Sequence, residues 1–250
     1  MKPIGHGERV RVYPTAAEVA QQGAELLLGL ARTRPGASVA LSGGATPLLM
    51  YDLLRKATRG DAEALRRLVY FFGDERAVTA NHPDSNVRLA RKGFLDPLGV
   101  PEENIIAPNG AAQDLEFEAA RLTDELREKC TEKEGPVPVL DLVFLGMGAD
   151  GHTASLFPGT PAVESRVAGY VANDVPQLST QRLTLTFPVL DAARSIVLLV
   201  TGEGKASVLG EIFSHAGRTP AYPVESLPPD RTTWLLDKQA AAAIPNPPSN

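Results

Sequence analysis

Residues 140–152 read L-D-L-V-F-L-G-M-G-A-D-G-H, an apolar run that passes directly into a turn rich in glycine. A strand with apolar residues on both faces is typical of a parallel sheet that is covered by helices on each side. Asp150 and His152 follow the end of this strand and are separated by one glycine. The stretch therefore predicts an α/β fold, and it places an acid and an imidazole where such folds bind their ligands.

Short apolar strands alternate with helical segments along most of the chain, which again favours a parallel sheet between two layers of helices. Residues 16–32 and 114–129 have the period of amphipathic helices. Residues 182–187, R-L-T-L-T-F, alternate between polar and apolar, so we expect a half-exposed strand in a side element. The strands predicted for the sheet are residues 38–41, 68–72, 140–145, 195–200 and 232–236.

Composition excludes several classes of protein. The 250 residues carry a net charge of -5, with 25 Lys and Arg against 30 Asp and Glu, which argues against nucleic acid as a partner. The single cysteine, Cys130, cannot form an internal disulfide, and no signal peptide or membrane-spanning stretch is visible. We expect a cytoplasmic protein with no membrane partner, one domain over residues 1–240, and a flexible tail over 241–250. The sequence does not indicate an oligomeric state.

Four of the predicted strands end in loops that are rich in glycine and in side chains capable of chemistry. The carboxyl ends of parallel strands meet at one edge of the sheet, where α/β proteins bind ligands. Loops that are far apart in sequence are therefore predicted to form one site. These loops are S-G-G-A-T-P (42–47), G-D-E-R (73–76), G-M-G-A-D-G-H (146–152) and T-G-E-G-K (201–205).

The loop of residues 42–47 is a candidate anion site at the start of a helix. Thr46 suits the N-cap and Pro47 the first helical position, while Gly43 and Gly44 let the backbone approach a ligand closely. Free N–H groups and the helix dipole favour a phosphate at such a place. The alternative is a tight, well-capped turn with no ligand.

Basic residues in two other loops are candidate ligands for an anion. Arg76 can pair with a phosphate or with an oxyanion that develops during a reaction, and Lys205 can attract phosphate as a point charge. Both residues also fit a solvated surface, because Asp74, Glu75 and Arg76 are three consecutive charges at a strand end. His82, alone in its loop, is more typical of a structural or exposed histidine.

Asp150 and His152 are a candidate general-base pair. A neutral imidazole can take a proton near neutral pH, and a carboxylate can hold its tautomer. We expect residues 153–157, T-A-S-L-F, to form a helix that starts beside His152, and the alternative role for Asp150 is to cap that helix. One His and one Asp are too few ligands for a metal, and no H-x-x-x-H or C-x-x-C motif completes a set.

Together these motifs resemble those of the 6-phosphogluconolactonases, and they occur in the same order. The resemblance runs from about residue 10 to residue 236 and implies a three-layer αβα sandwich with a mainly parallel, Rossmann-like sheet. It also implies hydrolysis of 6-phosphogluconolactone, a phosphorylated sugar lactone of the pentose phosphate pathway, without metal or organic cofactor. The matching segments are S-G-G-A-T-P, G-D-E-R-x-V-x-x-x-H-x-D-S-N, G-A-D-G-H-T-A-S-L-F-P, P-Q-L-S-T-Q-R-L-T-L-T-F-P and T-G-x-x-K-A.

The resemblance also implies roles for individual residues. His152 matches the family's general base and Asp150 its companion, and Arg76 is placed with them as catalytic. Ala45 departs from the Ser that is common in the family, but backbone N–H donors do not depend on this side chain, so we expect phosphate binding to survive. The implied ligands of the substrate and its phosphate are Ser42, Gly43, Gly44, Thr46, Asp74, Lys205 and Arg182.

Two alternative functions remain open on sequence. The related deaminases and sugar-phosphate isomerases resemble G-A-D-G-H, but they typically carry D-E-Y where this chain has D-E-R, residues 74–76. They also have an acidic residue soon after the His, whereas residues 153–160 contain no Asp or Glu. A non-catalytic sugar-phosphate sensor would add a DNA-binding segment, and we see none before residue 10 or after residue 236.

Overall fold

The computed structural model of the chain describes residues 9–214, 221–245 and 247. Within these residues the strands are β1 (Val10–Tyr13), β2 (Ser38–Leu41), β3 (Val69–Phe72), β4 (Asp74–Arg76), β5 (Lys133–Glu134), β6 (Val137–Pro138), β7 (Leu142–Leu145), β8 (Tyr170–Val175), β9 (Thr180–Leu185), β10 (Ile196–Val200) and β11 (Thr232–Asp237). The helices are α1 (Ala16–Thr33), α2 (Ala45–Leu54), α3 (Arg59–Leu65), α4 (Asn86–Ala90), α5 (Asp96–Leu98), α6 (Leu115–Lys129), α7 (Phe187–Ala192) and α8 (Ala206–Ser214). A π-helical turn, Arg91–Leu95, joins α4 to α5, and 3-10 turns lie at Glu102–Asn104, Pro161–Glu164, Pro176–Leu178, Glu203–Lys205, Pro223–Ser226 and Ala240–Ala243.

The central sheet has the strand order β1-β11-β10-β7-β2-β3, and every neighbouring pair is parallel. The strands predicted from the apolar runs all lie in this sheet, so that part of the prediction is confirmed. The sheet also contains β1, which is absent from the predicted set and pairs with the late strand through Val10 and Trp234. The doubly covered sheet follows from these strands, because each has few polar side chains to offer to water.

Side chains of the central strands alternate between two apolar cores, one on each face of the sheet. On β10, Ile196, Leu198 and Val200 belong to the core that α6, α7 and α8 cover. Val197 and Leu199 belong to the core that α1, α2 and α3 cover. This division follows from the two-residue period of a strand. The expected three-layer αβα sandwich with a parallel sheet is therefore confirmed.

A three-stranded antiparallel sheet, in the order β4-β9-β8, forms the side element predicted from R-L-T-L-T-F. On β9, Leu183 and Leu185 are buried in the core under α6, whereas Gln181 is exposed. The strand is thus half-buried, as its alternating pattern predicts. Only Gly73 separates β3 from β4, so the side sheet adjoins the edge of the central sheet at the carboxyl ends of its strands.

The prediction of a helix over residues 153–157 is wrong. The segment is a tight turn in which Thr153 and Leu156 form an isolated antiparallel bridge, and Ala154 has a φ of 48°. Side-chain hydrogen bonds override the local preference: the Thr153 hydroxyl donates to the carbonyl of Gly146 at 2.9 Å, and the Ser155 hydroxyl donates to Oδ2 of Asp74 at 2.6 Å. Phe157 also precedes a proline, which disfavours helical geometry at that residue.

The predicted start of the helix after β2 is also corrected. The N-cap of α2 is Gly44, with a φ of 110°, and not Thr46, which lies inside the first turn. The Thr46 hydroxyl contacts the hydroxyl of Thr201 at 2.7 Å and therefore does not cap the helix. Pro47 remains within the first turn, where its missing N–H has no intrahelical partner to lose.

The C-terminal segment differs from the flexible tail expected over residues 241–250. Ala241 and Ile244 are buried in the core beside α8, and the turn Ala240–Ala243 packs on that helix. The apolar side chains of this segment therefore extend the folded part at least to Ile244. Residues 246 and 248–250 lie outside the described residues, as do residues 1–8 of the predicted domain.

Two further features concern the expectations drawn from composition about membrane spans and the single cysteine. None of the helices in the described ranges is long and apolar enough to cross a membrane. Cys130 is a buried free thiol, and burial raises its pKa to about 11. The thiol therefore stays neutral at physiological pH and packs as a small apolar side chain.

The two cores predict a large contrast between two phenylalanines. Phe144 on β7 is 0% exposed, whereas Phe117 in the first turn of α6 is 74% exposed. Phe144→Ala should lower the free energy of unfolding by about 3–5 kcal/mol, because it removes a buried ring and leaves a cavity. Phe117→Ala makes the same chemical change at the surface and should stay within about 0.5 kcal/mol. Urea denaturation measures both, and equal losses would contradict the assignment of Phe144 to the core.

Candidate active site

A cleft of about 470 Å³ lies at the carboxyl ends of β2, β7 and β10, where the loops were predicted to converge. Thr46 alone among the sequence-predicted site residues is not part of its lining, because its side chain turns toward Thr201. The arrangement brings together residues from both the central and the side sheet. The predicted residues that line the cleft are Ser42, Gly43, Gly44, Asp74, Arg76, Asp150, His152, Arg182 and Lys205.

Asp150 and His152 form a hydrogen-bonded pair on the turn after β7. The atoms Nδ1 of His152 and Oδ1 of Asp150 are 2.6 Å apart, and the His152 backbone N–H donates to the same oxygen at 3.3 Å. Burial by itself would raise the pKa of Asp150, but attraction by His152 and these hydrogen bonds outweigh it and lower that pKa. An ionised Asp150 accepts a hydrogen bond from the N–H at Nδ1, which leaves Nε2 as the basic nitrogen of the neutral ring.

The glycines of this turn are required by close contacts. A Cβ on Gly148 would lie 2.2 Å from Nδ1 of His152 and 2.3 Å from Oδ1 of Asp150, so the pair occupies the space of a side chain there. Gly151 has a φ of 72°, and a Cβ on it would meet the ring of Tyr222 at 2.5 Å. Opposite the turn, the ring of Phe157 lies 4.0 Å from that of His152 between centroids. The imidazole is therefore held between a carboxylate, a glycine and an aromatic ring.

Arg76 and Arg182 lie directly opposite each other on paired strands of the side sheet. Like charges in this position repel each other, and burial together with Arg76 lowers the pKa of the Arg182 guanidinium. Neither arginine forms an ion pair with a carboxylate in the described ranges of the chain. Arg76 donates to the carbonyl of Asp84, and Arg182 donates to the hydroxyl of Thr180 at 3.2 Å. Two half-buried guanidinium groups at the cleft are suited to an anion.

Lys205 is a third cation of the cleft, on the 3-10 turn between β10 and α8. Burial lowers the pKa of its amine, and the negative charge of Asp150 partly opposes that change. No carboxylate in the described part of the chain forms an ion pair with it. Its ammonium group is therefore free to bind a ligand in the cleft.

The loop of residues 42–46 brings the start of α2 to the cleft. Its first-turn N–H groups have no intrahelical acceptors, and Gly44 at the N-cap has the positive φ that glycine adopts without strain. The carbonyl of Ser42 accepts from the buried hydroxyl of Tyr51 at 2.7 Å, which fixes the end of β2. The loop thus has the geometry of an anion site at a helix N-terminus.

Several cleft residues carry no role in the sequence prediction. Asn86 and Ser155 are buried and both contact Asp74, while Gln177 and Leu178 come from the turn between β8 and β9. Asn86 belongs to the predicted segment H-P-D-S-N, whose order gives no sign that its last residue reaches another loop. Its place as the last residue of the matching motif G-D-E-R-x-V-x-x-x-H-x-D-S-N is the signal that could have indicated it.

Glu75 is buried on the side of β4 that faces away from the cleft. Its carboxylate accepts from the backbone N–H groups of Arg76, Asn86 and Val87 and from the hydroxyl of Ser85, at 2.7–2.9 Å. Burial raises the pKa of Glu75, and these hydrogen bonds oppose the rise. The residue therefore ties β4 to the start of α4 and is no solvated charge.

No three His, Cys, Asp or Glu side chains are grouped as metal ligands within residues 9–214, 221–245 and 247. His82 is not part of the cleft lining; its ring accepts from the backbone N–H of Asp84 at 3.2 Å.

Comparison with known proteins gives a consistent match. The family model described as glucosamine-6-phosphate isomerases/6-phosphogluconolactonase matches residues 14–235. A 6-phosphogluconolactonase of Synechocystis sp. is 42% identical over 206 residues, which cover 81% of this chain and 82% of that one. One from Nostoc sp. is 36% identical over 208 residues, covering 83% and 84%. The structure of 6-phosphogluconolactonase from Trypanosoma cruzi aligns with a TM-score of 0.81 at 30% identity, covering 96% and 98%.

This chain belongs to the glucosamine-6-phosphate isomerase/6-phosphogluconolactonase family. The match begins before α1 and ends within β11, so every residue that lines the cleft falls inside it. The family resemblance seen in the motifs is therefore confirmed over the whole αβα sandwich. Within this family chain, the cleft joins an Asp–His pair to three cationic side chains and a helix N-terminus.

The contacts of the glycine turn predict that two neighbouring glycines differ sharply. Gly148→Ala should break the hydrogen bond between Asp150 and His152, because the new Cβ would overlap both side chains. Gly146→Ala is the matched control, since a Cβ at Gly146 meets nothing within 4 Å. Long-range ¹H–¹⁵N NMR of the imidazole should show the proton on Nδ1 in the parent and the control, and a mixture of tautomers in Gly148→Ala. An unchanged tautomer in Gly148→Ala would contradict the close contact.

Proposed function

We propose that this chain hydrolyses 6-phospho-D-glucono-1,5-lactone to 6-phospho-D-gluconate, the lactonase step of the oxidative pentose phosphate pathway. The observation that carries the proposal is the Asp150–His152 pair, with Nδ1 and Oδ1 2.6 Å apart, in a cleft that also presents three cations. The relatives named 6-phosphogluconolactonases support this substrate. A lactonase needs a base for water and positive charge for an oxyanion, and the cleft offers both.

The phosphate of the substrate binds at residues 42–46 with Lys205 beside it. The contact between the hydroxyls of Thr46 and Thr201 joins residues 42–46, the phosphate loop, to the loop that carries Lys205. The N–H groups and dipole of α2 attract the dianion, and the ammonium group adds a full charge. Ala45 removes a hydroxyl from this loop but no backbone donor.

The lactone carbonyl lies between His152 and Arg76. Arg76 is held by the carbonyl of Asp84, and with Arg182 beside it the side sheet presents positive charge to the cleft. As water attacks, the carbonyl oxygen becomes negative, and a positioned guanidinium stabilises that charge more than it stabilises the neutral substrate.

His152 acts as the general base. Asp150 holds the proton on Nδ1, so Nε2 removes a proton from water while the water oxygen bonds to the carbonyl carbon. The tetrahedral intermediate then re-forms its C=O bond and breaks the bond to the ring oxygen. The imidazolium returns its proton to that oxygen, which leaves a hydroxyl group on the sugar chain and a carboxylic acid that ionises. Asp150 stabilises the imidazolium while it exists.

The proposal predicts the effect of removing the base. His152→Ala should still bind 6-phosphogluconate and should lose about a hundredfold to ten-thousandfold in kcat, the usual range for a positioned general base. Stopped-flow assays with subtraction of spontaneous lactone hydrolysis measure kcat of the parent and of the variant. A parental kcat in a folded His152→Ala protein would rule out the base assignment.

The phosphate site is predicted to contribute to hydrolysis of the phosphorylated lactone and not to that of gluconolactone. Lys205→Met should lower kcat/KM for the phosphorylated lactone roughly tenfold to a hundredfold, because a charge-assisted hydrogen bond is lost. The same change should leave kcat/KM for gluconolactone, which has no phosphate, within about twofold, since remote binding energy is not involved. Lys56→Met, at an exposed lysine just past α2, is the control and should resemble the parent. Equal losses on both lactones would place Lys205 elsewhere.

A further inference from the structure

We propose that Asp74 and Asn86 form a positioning bridge that fixes the phosphate loop relative to the Asp150–His152 pair, an inference that rests on the proposed function. The bridge connects three loops of the cleft, those that follow β2, β3 and β7. Both residues are buried, Asp74 with 8% and Asn86 with 2% of its surface exposed. Asp74 is thereby assigned a role different from the substrate contact that the sequence motif implies.

The amide of Asn86 is oriented by Asp74. Its Nδ2 donates to the carbonyl oxygen of Asp74 at 2.9 Å and to Oδ1 of the same residue at 3.0 Å. Because an ionised carboxylate and a carbonyl only accept hydrogen bonds, the NH₂ end of the amide must face them. The Oδ1 end of Asn86 must then point the other way.

On that other side Asn86 packs against the phosphate loop. A Cβ on Gly43 would lie 1.7 Å from Oδ1 of Asn86, so the amide occupies the space that a side chain at Gly43 would need. This oxygen is buried and has no hydrogen-bond partner in the described ranges of the chain. The close contact between this oxygen and Gly43 ties the position of the amide to that of the phosphate loop.

The second carboxylate oxygen of Asp74 reaches the turn that carries His152. Oδ2 accepts from the hydroxyl of Ser155 at 2.6 Å, and Ser155 is 1% exposed. The carbonyl of Ser155 is itself held by the amide of Asn173 at 2.9 Å. Because Ser155 follows His152 by three residues in a turn without helical support, this bond fixes the far end of the turn.

The substrate makes this connection important. In the 1,5-lactone the carbonyl carbon and the arm that carries the phosphate flank the ring oxygen at a set separation, so the phosphate loop and the base must be a fixed distance apart. A misplacement of about 1 Å can cost roughly a hundredfold in rate. Both oxygens of Asp74 already accept from protein donors, which is why we assign its carboxylate to positioning.

Asn86→Asp tests the bridge because it changes the polarity of one group and keeps its shape. It places two carboxylates about 3 Å apart, and such a pair shares one proton with a strongly raised pKa. Below that pKa the shared proton restores the hydrogen bond; above it repulsion opens the bridge. Arg182 attracts the charge of Asp74 and so favours the charged pair, and it also attracts Glu75 and Asp84. We expect kcat/KM of the variant for the phosphorylated lactone to fall roughly a hundredfold as pH rises, on a limb that the parent lacks.

The double variant Asp74→Asn/Asn86→Asp exchanges donor and acceptor. The amide at position 74 can donate to the new carboxylate and still accept from Ser155, so the side-chain bond of the bridge re-forms with opposite polarity, while the carbonyl of residue 74 loses its donor. It should regain at least tenfold over Asn86→Asp at high pH and lose the added pH limb. If the carboxylate of Asp74 contacted the substrate, removing it would lower activity further and no rescue would occur.

Two controls separate the possible outcomes. Asn104→Asp removes an amide donor to the carbonyl of Arg66 outside the cleft, so it should lower the Tm and leave the pH profile of the parent. Gluconolactone, which does not use the phosphate loop, should be much less affected by Asn86→Asp than the phosphorylated lactone. If the parent is active but the double variant is not rescued, the bridge is overturned and the proposed function is not. The same holds if the pH profile of Asn86→Asp equals that of the parent. A parent that hydrolyses neither lactone overturns the proposed function. If Asn86→Asp does not fold, the double variant still decides, because its re-formed hydrogen bond should restore folding and activity.

Discussion

The parallel register of β2, β7 and β10 is the constraint on which the cleft depends. Ala40 pairs with Val143, and Val143 with Ile196, so the three strands run side by side in one direction. Their residues are buried on both faces, which leaves no place for chemistry within the strands. Polar side chains can collect only where the strands end, and Ser42, Gly146 and Thr201 leave the sheet along the same edge.

This constraint explains why much of the fold and part of the site could be predicted. An apolar run such as residues 195–200 carries its own signature, and the glycine loops after the four runs identify one edge of the sheet without any structure. The Asp150–His152 pair could also be predicted, because two residues so close in sequence on a tight turn must be close in space. The sequence did not reveal how far this pair lies from other elements. It also did not reveal the strand register that places Arg182 opposite Arg76.

The errors at residues 153–157 and at Thr46 share one physical cause, which is that side-chain hydrogen bonds override local preference. Residues 153–157 contain no proline or glycine, yet Thr153 bonds back to Gly146 at the start of the same loop and Ser155 bonds to Asp74 on another loop, and these bonds hold a turn. Thr46 is a good N-cap residue, but its hydroxyl is used by Thr201. A short polar side chain offers the same group to its own backbone and to a distant partner, and only the fold decides which contact forms.

The three charges of β4 show how a short strand sorts its side chains into different tasks. Successive residues point to opposite faces, so Asp74 and Arg76 reach the cleft while Glu75 is turned into the protein. Glu75 forms no ion pair in the described part of the chain; four hydrogen-bond donors stabilise its charge. Those donors come from Arg76 and from residues 85–87, and the same segment carries Asn86. The buried carboxylate of Glu75 therefore holds the segment that carries Asn86, and Asn86 in turn contacts Asp74 on the cleft side of the strand. Three consecutive charges that look like a surface loop thus form part of the framework of the cleft.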